Sequence, residues 1–489
     1  MKKNYLIIYF WALFFLSSCG EDFITTNPTA ALPTETAIST VSDAEYAVNG
    51  IYNAMQSSGY CGAAIQYYGD VKGDDIQCWW QQSRSNYYCY MFNHLSNGLN
   101  AGNLWGQPLF VIRLASHVVE AIDNGKVKDG TEAERNDLKG QALACRALAH
   151  FDMLRCFGYP YGKDNGASWG IPIIDHALSM DEHPIRNTVA ECYDFIIRQL
   201  KQAIPLMSEE KNNGGMNTYA ARALLARVYL YCNQDKNAYE MASALIDEFK
   251  SSNKYSLYTN SEYVKAWALD AKFGKESLFE IANTATDNNG RDGLGYLLHW
   301  WGYADMVATR SFRNLIRSDS KDARNKLIVE RYNSSRKIYT YSVTKYPGTA
   351  DNSPSYYNNY PLIRLSEVYL IAAEAGVKQG GEYKEPARAY LNAIVSRANP
   401  DASVSSANFT LARVLTERRK ELIGEGHRYF DILRNGLKVD RQLDLQYGYH
   451  LPNAPTDIDW NFEKCILPIP VNEFKFNKNM QQNPGYTRE

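Results

Sequence analysis

Two pairs of adjacent tryptophans are the residues of this chain best suited to chemistry, and that chemistry is stacking rather than bond breaking. Trp79-Trp80 stand among Asp74, Asp75, Gln77, Gln81, Gln82 and Arg84, and Trp300-Trp301 stand with Tyr296, His299 and Tyr303. The C–H face of a pyranose ring packs on an indole or phenol, while amides and carboxylates bind its hydroxyls. Candidate stacking residues are therefore Trp79, Trp80, Tyr296, Trp300, Trp301 and Tyr303, with Asp74, Asp75, Gln81 and Arg84 as polar partners. Neighbours on an extended chain point to opposite sides, so one ring of each pair is expected to face a ligand. Packing beneath a loop is the competing reading for each pair.

Patterns that imitate catalysis fail on their context. Gly166-Ala-Ser168-Trp-Gly170 fits GxSxG, yet Phe157-Gly-Tyr-Pro-Tyr-Gly before it and Ile171-Pro172 after it supply neither the strand nor the helix of a nucleophile elbow. Glycoside hydrolysis needs two carboxylates about 5–10 Å apart across a sugar. Asp74-Asp75, Asp181-Glu182 and Glu209-Glu210 are adjacent pairs instead and read as solvated loop charge. His427 and Asp431 are four apart, like half a metal site, but without a third partner they read as packing and hydrogen bonding. Asp287-Asn-Asn-Gly290 departs from EF-hand spacing and reads as a turn, so the spacing does not support a structural calcium. HExxH, P-loop and zinc-finger spacings are absent, and no catalytic residue, metal site or cofactor is expected.

Helices must position the rings. Ser42 and Glu45 form one capping-box pattern, and Thr188 and Glu191 another. Gly140–Arg155, Tyr219–Leu230 and Leu362–Ala375 repeat apolar residues at three and four, with alanines that admit a close neighbour. The second and third run through short turns into Ala238–Phe249 and Ala387–Val395, helix pairs similar to tetratricopeptide units, which bury their faces by stacking. Residues 57–106, 283–305 and 332–361 lack periodicity and read as long, aromatic-rich loops; loops of this kind are usually functional.

Lys2-Lys3, the apolar run Leu6–Leu16 and then Ser17-Ser18-Cys19 describe a secretory leader ending in a lipobox-like cysteine. The run is shorter than the roughly 20 residues of a spanning helix. Cys19 is the expected lipidation site, and Glu21-Asp22 resemble an acidic export tag. Residues 1–18 are the expected leader, 19–40 a lipidated tether, and 41–275 and 276–489 two helical regions. Without the leader and its two lysines the formal charge moves from −2 to −4, and no basic tract suggests nucleic acid. Tyr (36) outnumbers Gly (32), which suits a wet binding surface. Eight cysteines remain after Cys19, and a bridge among Cys61, Cys78 and Cys89 is left open.

Glu417-Arg-Arg-Lys-Glu-Leu-Ile-Gly-Glu-Gly-His-Arg-Tyr-Phe-Asp-Ile-Leu-Arg-Asn-Gly436 closely resembles the signature helix of the SusD/RagB family. Tyr360–Ala375, Leu467-Pro-Ile-Pro470 with Glu473, Gln482–Tyr486 and Arg186–Tyr193 are similar to further landmarks of that family. The resemblance implies a mainly helical, all-α fold with a tetratricopeptide-like scaffold and few short strands. It further implies an outer-membrane surface lipoprotein that captures oligosaccharides without catalysis. Such proteins deliver their cargo to a SusC-like TonB-dependent transporter. Peptide or another nutrient as cargo, and a lipid-anchored hydrolase, are the alternatives. Within the signature, Glu421, Glu425, Arg428 and Asp431 recur at three and four as though on one helix, where ion pairs would tie it to its neighbours.

Overall fold

The computed structural model describes residues 37–268, 272–348, 357–446 and 450–488. The leader, Cys19 and the tether up to residue 36 lie outside them. Helix accounts for 52% of the structure and strand for 8%, so the expected all-α class holds.

The first helix, Val41–Gln56, is capped two residues upstream of the expected box. Thr40 accepts the Asp43 N–H at 3.1 Å, and Asp43 accepts the Thr40 N–H at 2.9 Å. This start turns Ala44, Val48, Ile51 and Met55 inward together, and that face decides the register. Thr188 and Glu191 cap Val189–Ala203 as expected.

Five helices follow one another, each packed on the next: Leu99–Asp123, Glu132–Phe157, Val189–Ala203, Thr218–Tyr231 and Asp235–Ser252. Leu365–Gln379 packs on the last of these and on its own partner, Lys384–Ala398. Small residues set the spacing there: a Cβ on Gly376 would lie 2.4 Å from that of Ala387. The expected helix at Leu362 begins three residues later. Tyr360–Arg364 is instead a strand, and its extended end carries the Arg364 side chain to Glu421 and Glu425.

Strands are short and paired in twos. β1 (Ile76–Cys78), β2 (Ser277–Ile281), β3 (Met306–Ala308), β4 (Ile328–Asn333), β5 (Ile338–Val343) and β6 (Tyr360–Arg364) form the antiparallel pairs β1–β3, β2–β6 and β4–β5. The segment 57–106, expected as one loop, contains helices Ala64–Val71 and Ser85–Tyr90, strand β1 and the start of Leu99–Asp123. Residues 59–78 are buried throughout, so no polar face exists to give the segment a period. Likewise, 283–305 contains the short helix Leu294–Leu298, and 332–361 contains the end of β4, all of β5 and the start of β6.

The signature run is two helices rather than one. Leu411–Leu422 stops before Gly424 and Gly426, whose φ angles of +77° and +79° lie in the left-handed region, and Arg428–Arg434 resumes beyond them. Its charges do tie neighbours together, from the interior. Buried Glu421 meets Arg364 at 2.8 Å, Arg397 at 2.6 Å and Arg324 at 3.2 Å. Glu425 holds Lys345 and Arg364, Asp431 holds Arg418 and Arg434, and Arg227 forks onto Glu367. Buried His427 lies 3.9 Å from Glu367, and burial pushes its imidazole down to about 4. It packs; it does not poise a proton. Among the described residues no cluster of His, Cys, Asp and Glu is arranged to hold a metal, and Asp287–Gly290 is a turn.

All eight described cysteines are free and buried, so Cys61, Cys78 and Cys89 form no bridge. Lys72 is also fully buried. It donates to the Cys465 carbonyl at 2.9 Å and the Tyr68 hydroxyl at 3.0 Å, within 5 Å of the rings of Tyr68, Phe92 and Tyr429.

Candidate functional site: an aromatic platform between two loops and a hairpin

The signature residues position the first tryptophan pair. A Cβ on Gly69 would lie 2.0 Å from the Gly426 carbonyl oxygen, so two glycines allow helix Ala64–Val71 to seat on the break between the signature helices. Asp70 accepts the Gly426 N–H at 3.1 Å. Arg428 then forks onto Asp74 at 2.7 and 3.0 Å, and Arg419 binds Asp75 at 2.5 Å. Both carboxylates are buried, so they are neither solvated loop charge nor reachable partners for a sugar hydroxyl. They are the clamps at the root of the loop. Arg428 and Arg419 offset the cost of burying Asp74 and hold its carboxyl below the usual carboxylate range.

From that root β1 runs to Trp79. Its partner β3 is the continuation of the second aromatic loop, in register from Ile76 opposite Ala308 to Cys78 opposite Met306. The two loops are cross-linked beyond the strands. Trp79 donates its indole N–H to the Ala304 carbonyl at 2.7 Å, and Arg84 binds Asp305 at 2.8 Å while lying 3.7 Å over the Tyr303 ring. Burial raises the Asp305 carboxyl, and Arg84 opposes that rise.

Within the second loop the adjacent tryptophans part. Trp300 is 45% exposed, while Trp301 packs on His299 (4.6 Å) and Tyr296 (5.6 Å). Tyr296 stands edge-on to Tyr303 at 4.7 Å. Burial and the Arg331 guanidinium push His299 down to about 4, which leaves a neutral imidazole. Trp79 and Trp80 are half-buried, and Gln81 beside them is exposed.

The β4–β5 hairpin completes the platform. Arg331 lies over Trp300 at 4.2 Å, and Arg336 lies over Trp79 and Trp80 at 5.6 and 5.2 Å. The structure thus gathers all six candidate rings and Arg84, withdraws Asp74 and Asp75, and adds Arg331 and Arg336. Sequence reasoning missed those two arginines because it took 332–361 for a loop. The alternation Ile328–Val343 around Asn333-Ser-Ser-Arg-Lys337 was the available hairpin signal. Ser168, by contrast, follows a short 3-10 turn rather than a strand, so no nucleophile elbow exists there.

The fold and site together define a helical-array protein that carries an exposed aromatic platform on loops outside the array. The chain belongs to the SusD family: residues 196–486 match the sequence model with that description. Residues 22–230 match a second model, described as "Starch-binding associating with outer membrane". A SusD superfamily protein from Bacteroides vulgatus is 50% identical, with a TM-score of 0.88 over 92% of this chain and 100% of that one. A putative sugar binding protein from the same organism is 43% identical, with a TM-score of 0.85 over 92% and 100%. SusD-like protein P2 of Formosa agariphila is 27% identical over 99% of this chain and 100% of its own.

Proposed function

We propose that this protein captures oligosaccharides on the platform of Trp79, Trp80, Tyr296, Trp300, Trp301 and Tyr303, without catalysis, and delivers them to a SusC-like TonB-dependent transporter. It works at the outer membrane, held on the cell exterior by lipid on Cys19. One observation carries the reading: two chain-distant aromatic loops are welded by β1–β3 into one ring surface, half-buried except at exposed Trp300. Such a surface fits the C–H faces of sugars. The sugar-binding relative at 43% identity and the starch-binding description support the same class of cargo. Asp74 and Asp75, the acidic pair at the root of the first loop, are buried and neutralised by arginines and are not placed to flank a glycosidic bond. The chemistry required is stacking and hydrogen bonding alone, so no cofactor enters.

Calorimetric titration against plant, host and microbial oligosaccharides tests the reading. Saturable binding of one glycan class with no release of reducing ends is the expected result. Full affinity retained after Trp→Ala at all four tryptophans would place the site elsewhere, and turnover would overturn the non-catalytic role.

A further inference from the structure

We infer that the platform selects anionic glycans, saccharides bearing carboxylate or sulfate groups, and that Arg331 and Arg336 are the residues that make the selection. The inference rests on the reading of the platform as a saccharide site and adds the charge of the cargo.

Both arginines are exposed, Arg331 on strand β4 and Arg336 in the turn that follows it. Each guanidinium lies against platform rings, Arg331 at Trp300 and Arg336 at Trp79 and Trp80. A guanidinium stacked by its face on an indole keeps its N–H edge free, and that edge matches a planar carboxylate or a sulfate with paired hydrogen bonds. The rings therefore keep both cations at the platform.

Among the described residues no acid supplies that anion. Asp305 is taken by Arg84 at 2.8 Å. Glu330 is taken by Arg317 at 2.8 Å and Arg313 at 3.4 Å, and strand alternation sends it to the face opposite Arg331. Among the described residues neither Arg331 nor Arg336 forms an ion pair. In the interior, by contrast, Arg324, Arg364, Arg397, Arg418 and Arg434 each meet at least one carboxylate. What sets Arg331 and Arg336 apart is that both are exposed and both lie against rings of one surface. They contact different tryptophans, so the arrangement suits a chain with repeated charge better than a single acidic sugar.

The test is titration of the full chain in detergent with three probes. These are tetragalacturonate, the same tetrasaccharide with its carboxyls reduced to alcohols, and a kappa-carrageenan tetrasaccharide, which carries sulfate but no carboxylate. At least one anionic probe is expected to bind about tenfold or more tightly than the reduced tetrasaccharide. Which of the two does so names carboxylate or sulfate as the recognised group. That advantage is expected to shrink as salt rises from about 50 to about 500 mM. It should disappear in the R331Q/R336Q double variant, whose circular dichroism stays unchanged. Equal or tighter binding of the uncharged probe, binding confined to neutral glycans of other composition, or a charge advantage that survives both substitutions would overturn the inference while leaving capture intact. Failure of every saccharide, charged or neutral, would instead overturn the reading of the platform itself.

Discussion

Trp79 and Ala304 stand 225 positions apart in the chain and share one hydrogen bond, indole N–H to carbonyl oxygen, at 2.7 Å. That bond joins two loops which would otherwise present rings independently. Its indole is structural and exposed at once: the N–H is committed, and part of the ring surface is open.

Trp300 and Trp79 are accordingly expected to behave differently. Trp300→Ala removes the most exposed ring and should weaken oligosaccharide binding about tenfold, with the thermal midpoint unchanged. Trp79→Ala should cost a similar factor and also lower the midpoint, because it breaks the tie between loops. Calorimetry paired with thermal unfolding separates the two; identical midpoints would refute the structural role of Trp79.

Arg428 acts on binding from beneath the platform. Arg428→Ala leaves Asp74 buried with Arg419 as its remaining cation at 3.7 Å, and breaking a buried pair costs about 3–5 kcal/mol. Denaturant unfolding should register that loss, and glycan affinity should fall although Arg428 touches no ring. Unaltered affinity in a folded variant would show that the loop root does not set the platform.

Glu367 gives the interior a dependence on acid. Its carboxyl is held down to about 2, chiefly by Arg227 against the opposing effect of burial. A lowered carboxylate stabilises fully above its unfolded value, near 4.5, and that stabilisation is lost as pH falls toward about 2. The difference in unfolding free energy between the wild type and Glu367→Gln should be constant from neutrality down to that value and then shrink. A difference that grew on acidification would contradict the pairing.

Lys72 works in the opposite direction. Burial lowers its ammonium from 10.5 to about 7, so between these values the unfolded lysine holds a proton that the folded one has released. Unfolding then takes up a proton, and stability rises with pH by at most about 1.4 kcal/mol per unit. The wild type should gain on Lys72→Met across that window. A flat difference would mean that the three surrounding rings keep Lys72 charged.

Much of this architecture was legible in the residues. The helix pairs announced themselves through alanine-rich 3.6-residue periodicity, and Thr188 with Glu191 marked a helix start correctly. All six rings of the platform were identifiable as tryptophans and tyrosines grouped with polar neighbours. The failures share a cause, which is that burial erases pattern. The helix Ala64–Val71 is buried on every side and so shows no amphipathic period. Asp74 and Asp75 have the composition of a sugar site, yet partners more than 340 residues away turn them inward. The break at Gly424 and Gly426 was hidden because charges at three and four ran straight through it. Arg331 and Arg336 needed a hairpin register that local alternation only hinted at.

The separation between helix array and ring surface bears on how such a protein can change over time. The array is braced by buried ions such as Glu421 with its three guanidiniums, where most substitutions would cost the whole fold. Trp300, Arg331 and Arg336, the exposed side chains of the proposed site, sit outside that braced region, on a loop and a hairpin. Changes at those three side chains are therefore expected to cost little stability, whereas Trp79 is tied to the second loop and the core stays under tight constraint. A lineage built this way can vary those side chains without first relearning how to fold.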